Sequence, residues 1–403
     1  MLLALRLDRL APGLLDGPAP DAALVRHVAD EPPADPSRLV RRARALVAEL
    51  AGVGPPGRRA RYVAAQLRAL ECRARLCAGE DVGFADEVAA TFGTEARRED
   101  PDRYREAHRR LGELLPGREP LARRLAAHRE RDRIPTERLG DAVSVMSAHL
   151  RRLTAERIGL PDGEFCSYEI VDGRPWTAFT HHLGAGRSRI AVDASSHLRR
   201  GQLLPLVAHE AYPGHHTQHC RAAAAGAALP ELRLRLVHSP QGLLAEGAAE
   251  AAHHVVPGPG WGGHAEDVLT DLGLPMDGEL AEAVEGSLDE LGRVRQDAAV
   301  MRHACGAGPD EVLAHLTRWL MIDEARARRM LGFLDHPQWR SYATAYAEGR
   351  PLVTQWLRRP GADPVAGLRL LLDEPVTPED LRTDLARTSA SGRPSGPAQA
   401  ATG

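Results

Sequence analysis

Apolar residues recur at helical spacing along most of the chain. After Ser37, a residue type that often caps helix N-termini, the apolar side chains share one face and arginines occupy the other. These apolar positions are Leu39, Val40, Ala43, Leu46, Val47 and Leu50. The same period predicts further helices at about 58–78, 82–93, 101–115, 119–130 and 136–158. We therefore predict an N-terminal helical region over residues 1–160.

A different pattern occupies residues 161–200. Two short β-like runs, Ser167–Val171 and Arg189–Val192, are separated by glycine-containing turns, which predicts a small sheet or hairpin. Helical periodicity returns at Gly201 and continues to about Arg387. The pattern as a whole predicts a mainly α fold with one small β element.

The same pattern suggests how the chain is organised. Residues 161–387 are expected to form a second region that belongs to the same compact domain as residues 1–160. Residues 388–403 are mostly small and turn-forming, which predicts a disordered tail.

Composition narrows the classes of function. The 52 basic and 55 acidic side chains give a net charge of −3, so the chain lacks the basic footprint of a nucleic-acid or membrane-surface binder. It contains no lysine, which excludes Schiff-base and P-loop chemistry. Five scattered cysteines, and no apolar run of about 18 residues, predict a cytoplasmic protein without a membrane partner. No motif indicates a partner protein or an oligomeric state.

His209 and Glu210 follow an apolar run, and four histidines lie within eleven residues. The usual zinc-protease pattern, HExxH, places two histidines four residues apart, so that both face one metal from the same side of a helix. Here Pro213 occupies the place of the second histidine in that pattern. His209 and His215 differ by six residues, which on a straight helix means about 600° of rotation and about 9 Å of rise. A straight helix therefore cannot direct both side chains to one ion.

The Pro213–Gly214 pair offers a way to bring these histidines together. Proline removes a backbone donor, and glycine tolerates the dihedral angles of a kink or bulge. If two residues are looped out, His209 and His215 become ligands of one metal. Glu210 then becomes the base that activates water. His216 is the alternative second ligand, since it is nearly eclipsed with His209 but about 10.5 Å away along an unbroken helix.

A catalytic zinc needs a third protein ligand, and zinc accepts carboxylate oxygen. Glu246 and Glu250 lie one turn apart among Leu and Ala residues, where a carboxylate is costly unless it binds a cation or is paired. We expect Glu246 to be the third ligand, because Gly247 permits a close helix approach. Glu250 is expected to orient a ligand histidine. The alternative is a pair of glutamates on a solvated helix face.

Two motifs carry a resemblance to a known family. HEAYPGHHTQH at residues 209–219, followed by LAEGAA at 244–249, resembles the bacterial domain-of-unknown-function family 885. That family is similar to the helical gluzincin metallopeptidases, such as thimet oligopeptidase, angiotensin-converting enzyme and the carboxypeptidase Taq type. The resemblance covers roughly residues 165–360 and implies a multi-helix, zincin-like metallopeptidase fold.

The resemblance also bears on the ligands. It matches His215, which follows a glycine, to the second histidine ligand, and Glu246 to the glutamate ligand on the next helix. An aromatic residue often follows the EG pair in that family, whereas this chain has Ala248. The identity of the substrate is therefore not implied.

Further residues are candidates for substrate contact. In helical zinc peptidases the strand before the metal-binding helix pairs with an extended substrate, which makes Arg189–Asp193 a candidate edge strand and Arg189 a substrate-binding residue. Tyr342 and Tyr346 share one helix face, and a hydroxyl there would stabilise an oxyanion, with Tyr346 the first choice. Arg350 is a candidate for binding a substrate carboxylate. Ordinary packing or structural roles are the alternative for each.

The sequence thus predicts a zinc-dependent hydrolase with one Zn²⁺ per chain that acts on peptide or amino-acid amide bonds, with a small peptide or amino-acid derivative as substrate. Two alternatives stay open. Two histidines and one carboxylate also form the ligand set of non-haem iron enzymes of small-molecule metabolism. A catalytically inactive, metallopeptidase-like binding protein would retain the scaffold without turnover.

Overall fold

The structure, a computed structural model, describes residues 1–17, 21–52, 57–174 and 176–391. Within these ranges the fold is mainly helical with one small sheet, as predicted. The helices before the sheet are α1 (Leu2–Leu10), α2 (Ala22–Asp30), α3 (Pro36–Ala51), α4 (Arg58–Cys77), α5 (Phe84–Phe92), α6 (Pro101–Leu114), α7 (Leu121–Arg131) and α8 (Thr136–Arg157).

The amphipathic period predicted α3 to α8 to within a few residues, but one cap differs. The side chain of Asp35, not that of Ser37, caps α3, because Asp35 accepts a hydrogen bond from the Ser37 N–H and Pro36 occupies the first turn. Leu39, Val40 and Ala43 form the buried face of this helix.

The sheet contains β1 (Phe165–Val171), β2 (Ala178–Gly184) and β3 (Arg187–Asp193) in the order β1–β3–β2. Strand β3 is parallel to β1 and antiparallel to β2. The prediction that Arg189–Asp193 forms an edge is therefore wrong, because β3 is the central strand. The error arose because β2 carries two histidines in place of an alternating apolar pattern, so its pairing was not anticipated.

The helices after the sheet extend to residue 391, and the first two of them contact its strands. They are α9 (Arg200–Glu210), α10 (His215–Ala225), α11 (Pro240–Ala251), α12 (Trp261–Asp271), α13 (Gly278–Asp289), α14 (Val294–His303), α15 (Pro309–Leu320), α16 (Glu324–Asp335), α17 (Ala343–Leu357), α18 (Pro364–Asp373) and α19 (Pro378–Ser391).

The hydrophobic clusters combine residues from both halves of the chain. One cluster joins Tyr104 and Leu125 to Leu316 and other residues of the later helices. A second cluster joins helix α8 to strand β3 and to helices α9 and α12. Residues 1–160 therefore pack directly against the residues that carry the candidate site.

The C-terminal prediction needs a correction. Helix α19 ends at Ser391, so residues 388–391, which were predicted to be part of a disordered tail, are helical. Small side chains alone do not break a helix that an amphipathic segment has already started. Residues 392–403 of the predicted tail lie outside the described ranges. No helix in those ranges is long and apolar enough to cross a membrane.

Candidate metal centre

A helix break brings His209 and His215 together. Helix α9 ends one residue after His209, and α10 begins at His215. The backbone of Gly214 packs directly on the end of α9, where its N–H donates to the carbonyl oxygen of Ala208 at 2.8 Å. A Cβ atom at this position would lie 1.9 Å from the carbonyl oxygen of His209, so only glycine fits. The break between α9 and α10 thus brings the two histidines together, as the predicted looped-out pair was expected to do.

Three side-chain atoms converge at this break. His209 Nε2 lies 3.1 Å from His215 Nε2. Glu246 Oε2, from α11, lies 3.5 Å from the first of these atoms and 3.6 Å from the second. Among the described residues, these three form the one group of three or more His, Cys, Asp or Glu whose donor atoms all lie within 4.8 Å of one another.

The donor set and its spacing fit a zinc ion. Zinc binds imidazole nitrogen and carboxylate oxygen at about 2.0–2.2 Å, so tetrahedrally arranged ligand atoms are separated by about 3.3 Å. The three separations bracket that value. Glu246 Oε2 is also buried without a hydrogen-bond partner among the described residues, although an unpaired buried carboxylate oxygen is costly. A cation held by the three atoms would remove that cost.

The electrostatics of the cluster also favour a positive charge. Burial opposes protonation of His209, but its contact with the Glu246 carboxylate and the charges of Glu250 and Glu210 outweigh burial and raise its pKa to about 10. The pKa of His215 is raised in the same way, against its burial, by Glu246. The two histidines in turn hold the pKa of Glu246 well below its usual range despite burial.

Glu246 is held in place by Tyr342, which lies just before α17. The Tyr342 hydroxyl donates to Glu246 Oε1 at 2.6 Å, which leaves Oε2 directed at the histidines. Helices α11 and α17 come close because glycines meet at their crossing. A Cβ atom on Gly247 would lie 2.4 Å from the carbonyl oxygen of Gly349. The Tyr342 hydroxyl, expected to be free for an oxyanion, is therefore engaged by a candidate ligand.

Glu210 lies beside the three donor atoms and contacts the sheet. The hydroxyl oxygen of Thr180, on β2, lies 2.6 Å from Glu210 Oε2 and 2.8 Å from the Glu210 carbonyl oxygen. Both residues are buried. Within the described residues Glu210 Oε1 has no hydrogen-bond partner, so one carboxylate oxygen is held while the other can accept a proton.

Tyr346 and Glu250 flank His209 on two sides. The rings of Tyr346 and His209 are 6.4 Å apart between centroids, and the Tyr346 hydroxyl has no hydrogen-bond partner in the described ranges. Glu250 Oε1 lies 3.5 Å from His209 Nδ1, the nitrogen that faces away from the donor cluster. Glu250 is thus placed where it can orient this histidine.

His216, the alternative second ligand, faces away from the cluster. Its Nε2 lies 2.8 Å from Glu164 Oε2, and its Nδ1 lies 2.8 Å from the Ser188 hydroxyl oxygen. The Tyr212 hydroxyl also donates to Glu164 Oε2, at 2.7 Å. Both ring nitrogens of His216 are therefore engaged, and this histidine joins α10 to the sheet.

The two arginines predicted to bind substrate lie in different places. Arg350 forms an ion pair with Asp289 at 2.5 Å, so its charge is already matched by a carboxylate. Arg189 lies on the outer face of the sheet, 3.6 Å from Glu169, with about half of its side chain exposed. Ser188, its neighbour on β3, faces the helices and contacts His216. Arg189 thus faces away from the donor cluster, because side chains alternate along a strand.

Sequence reasoning missed Thr180 and Gln218. Thr180 lies 30 residues before Glu210, in a strand whose pairing was not predicted, so no local pattern linked the two. Gln218 lies three residues after His215, and its Oε1 is 3.1 Å from His215 Nδ1. The i,i+3 spacing on one helix face was a usable signal for this contact.

Neither a known family model nor a curated protein matches this sequence. Two solved structures are similar in fold at 14% identity. The "putative lipoprotein from Colwellia psychrerythraea" has a TM-score of 0.55 and covers 81% of this chain, which spans 61% of that protein. The "putative lipoprotein of unknown function from Shewanella oneidensis" has a TM-score of 0.52, with 90% of this chain and 76% of that protein covered. These likenesses define the fold alone.

Proposed function

We propose that the protein is a zinc-dependent hydrolase that cleaves peptide or amino-acid amide bonds. The observation that carries this proposal is the convergence of two histidine nitrogens and one unpartnered carboxylate oxygen beside a second, separately held carboxylate. His209, His215 and Glu246 would hold the ion. The resemblance of the two sequence motifs to family 885 and to the gluzincin peptidases supports the same function.

A zinc ion in such a site supplies Lewis-acid chemistry, which polarises a carbonyl group and makes water more acidic. Glu210 is the proton acceptor in this proposal. Its Oε2 is held at 2.6 Å from the Thr180 hydroxyl oxygen, which fixes the direction of the free Oε1. Glu210 Oε1 would take a proton from water and later give it to the leaving amine.

Tyr346 is the proposed hydrogen-bond donor to the substrate oxygen. Burial, together with the charges of Glu246 and Glu210, raises the pKa of Tyr346 well above its usual range. The phenol therefore stays protonated at neutral pH and can donate to a developing oxyanion. Tyr342 is excluded from this role because its hydroxyl already donates to Glu246.

Strand β2 provides an edge suited to an extended peptide. The Asp193 N–H donates to the Thr177 carbonyl oxygen at 2.8 Å, which fixes the alternation of the antiparallel ladder. With Thr180 opposite Ile190, the backbone N–H and C=O of Ala178 and Thr180 then point away from β3. Thr180 thus offers its backbone at a sheet edge while its side chain holds Glu210, which favours a peptide substrate.

The test is hydrolysis of a fluorogenic peptide library by the metal-free protein, the zinc-loaded protein and the iron-loaded protein, with Glu210→Gln in parallel. We expect zinc-dependent cleavage that Glu210→Gln reduces about 10²–10⁴-fold without loss of zinc. Glu137→Gln, on an exposed part of α8, is the matched control and should keep full activity. Oxygen-dependent turnover with iron alone would contradict the proposal and support the iron enzyme. No turnover with any metal would support the binding protein.

A further inference from the structure

Gln218 connects the candidate ligand His215 to a charged pair outside the donor cluster. Gln218 Oε1 lies 3.1 Å from His215 Nδ1 and 3.2 Å from Arg235 NH2. Gln218 Nε2 donates to the carbonyl oxygen of Ala245, on α11, at 2.8 Å. The side chain is buried, with 3% of the residue exposed. All of these contacts involve the terminal amide group of Gln218, so together they constrain its orientation.

The contacts determine which way the amide points. Arginine has only donors, and a backbone carbonyl has only an acceptor. Arg235 therefore requires the oxygen of Gln218 on its side, and Ala245 requires the nitrogen on the other. Two partners of opposite character fix the same orientation, so a flipped amide would lose both hydrogen bonds.

The orientation of this amide determines which ring nitrogen of a neutral His215 carries the proton. The group that faces His215 Nδ1 is a carbonyl oxygen, so Nδ1 must donate a proton to it. In a neutral ring the lone pair then lies on Nε2, the atom that is 3.1 Å from His209 Nε2 and 3.6 Å from Glu246 Oε2. The lone pair thus points at the place where three donor atoms converge.

We propose that Gln218, whose amide group is oriented by Arg235 and by the Ala245 carbonyl oxygen, is a positioning residue that fixes His215 as the Nδ1–H tautomer and so directs its Nε2 lone pair to the proposed metal site. This inference rests on the proposed metal site and adds the residues that prepare one of its ligands. A hydrogen-bond acceptor behind a ligand histidine raises metal affinity by fixing the tautomer and the ring orientation.

Arg235 is itself held in place by Asp16, which lies near the start of the chain. Arg235 Nε donates to Asp16 Oδ2 at 3.3 Å. The segment that carries Asp16 is attached by backbone hydrogen bonds, from the Asp16 N–H to the Arg235 carbonyl oxygen at 3.0 Å and from the Val237 N–H to the Leu14 carbonyl oxygen at 3.0 Å. Asp16 Oδ1 also lies 3.1 Å from His219 Nε2. Asp16 thus holds both Arg235 and α10 in place behind the ligand.

The test compares zinc affinity across full-length variants by competition with a chromophoric chelator. Gln218→Met keeps the length of the side chain but removes the acceptor, and should weaken zinc binding about 10–100-fold. Asp16→Asn removes the charge that holds Arg235 and should weaken binding less. Gln355→Met, on an exposed position of α17, is the matched control and should bind zinc as the wild type does.

A second readout separates positioning from a general effect on folding. In ¹⁵N-histidine-labelled wild-type protein without metal, at an alkaline pH where the His215 ring is neutral, His215 should carry its proton on Nδ1, with His215→Gln used to assign the signal. Unchanged zinc affinity in Gln218→Met, or a neutral His215 that carries its proton on Nε2 in the wild type, would overturn the inference. Those outcomes leave the proposed function standing, whereas a wild-type protein that binds no zinc refutes both. If Gln218→Met does not fold, the wild-type tautomer and the Asp16→Asn affinity decide the matter.

Discussion

Glu210 and Glu246 lie near the same two histidines, and their hydrogen bonds suit them to different roles. Glu246 accepts from Tyr342 through Oε1 and directs Oε2 at the histidines. The Oε2 atom of Glu210 is instead engaged by Thr180, outside the donor cluster. The arrangement of Glu246 suits a metal ligand. The arrangement of Glu210 suits a base, because the contact with Thr180 fixes the direction of its free oxygen.

Replacing Thr180 tests how strongly activity depends on the orientation of the Glu210 carboxylate. Thr180→Val keeps the shape of the side chain and removes the hydroxyl, so Glu210 loses its hydrogen bond while the three donor atoms are untouched. We expect kcat for a cleaved peptide to fall about 10–100-fold, because small misplacement of a catalytic group is costly. Zinc affinity should stay the same. Thr270→Val, exposed on α12, is the control, and a kcat equal to the wild type in Thr180→Val would contradict the assigned role.

The two tyrosines should separate binding from catalysis. Tyr342→Phe removes the hydrogen bond to Glu246 Oε1 and should lower zinc affinity, by about 10-fold or more. Tyr346→Phe removes a hydroxyl without a partner among the described residues and should leave zinc affinity unchanged. Its kcat should fall about 10²–10³-fold, as for loss of one oxyanion donor. The two roles are wrong if zinc titrations and steady-state kinetics give the reverse pattern.

At the scale of the elements, the site depends on a close crossing of α11 and α17. A Cβ atom added to Gly349 would lie 2.4 Å from the carbonyl oxygen of Leu243. Because neither helix can take a larger residue at this point, the crossing sets the distance between Glu246 and Tyr342. The glycines are therefore needed for the geometry of the site as well as for packing.

Gly349→Ala should accordingly lower both stability and zinc affinity. Overpacking at such a contact costs about 1–3 kcal/mol or more, because the helices must separate. Gly332→Ala is the matched control, since a Cβ atom at that position in α16 meets nothing within 4 Å. There we expect about 0.5–1 kcal/mol of stabilisation from helix propensity alone. Urea unfolding of both variants measures these changes, and equal effects would contradict the packing argument.

How much of this arrangement could be predicted depends on the range of the interactions. Helix positions, the pair His209 and Glu210, and the later Glu246 follow from local periodicity and from residue chemistry. The contact of Thr180 with Glu210 and the position of β3 in the sheet could not be derived, because strand order is decided by partners distant in sequence. Asp16 lies 203 residues from His219 and carries no local signal for its role.

At the scale of the whole molecule, buried histidines link stability to pH. His238 is fully buried among Phe92, Trp339 and Tyr342, and neither ring nitrogen has a hydrogen-bond partner among the described residues. Burial, with the nearby charge of Arg73, holds its pKa well below its usual range. The unfolded chain therefore binds one more proton at this residue once the pH falls below about 6.5. The free energy of unfolding must then fall with the pH.

His238→Phe should reduce this dependence. One proton contributes at most about 1.4 kcal/mol per pH unit, so the wild type should lose more stability between pH 7 and pH 5 than the variant does. Urea unfolding at several pH values measures the slope. His27→Phe, at an exposed histidine, should keep the slope of the wild type. An unchanged slope in His238→Phe would contradict a neutral His238 in the folded protein.

The central claim is that His209, His215 and Glu246 together hold a zinc ion. The most direct measurement is the zinc content per chain, by elemental analysis, of the wild type and of the His209→Gln, His215→Gln and Glu246→Gln variants, each loaded with zinc and desalted. We predict about one zinc per chain in the wild type and loss of that zinc in each variant, with helical content retained. A wild type without zinc, or variants that keep it, would contradict the account.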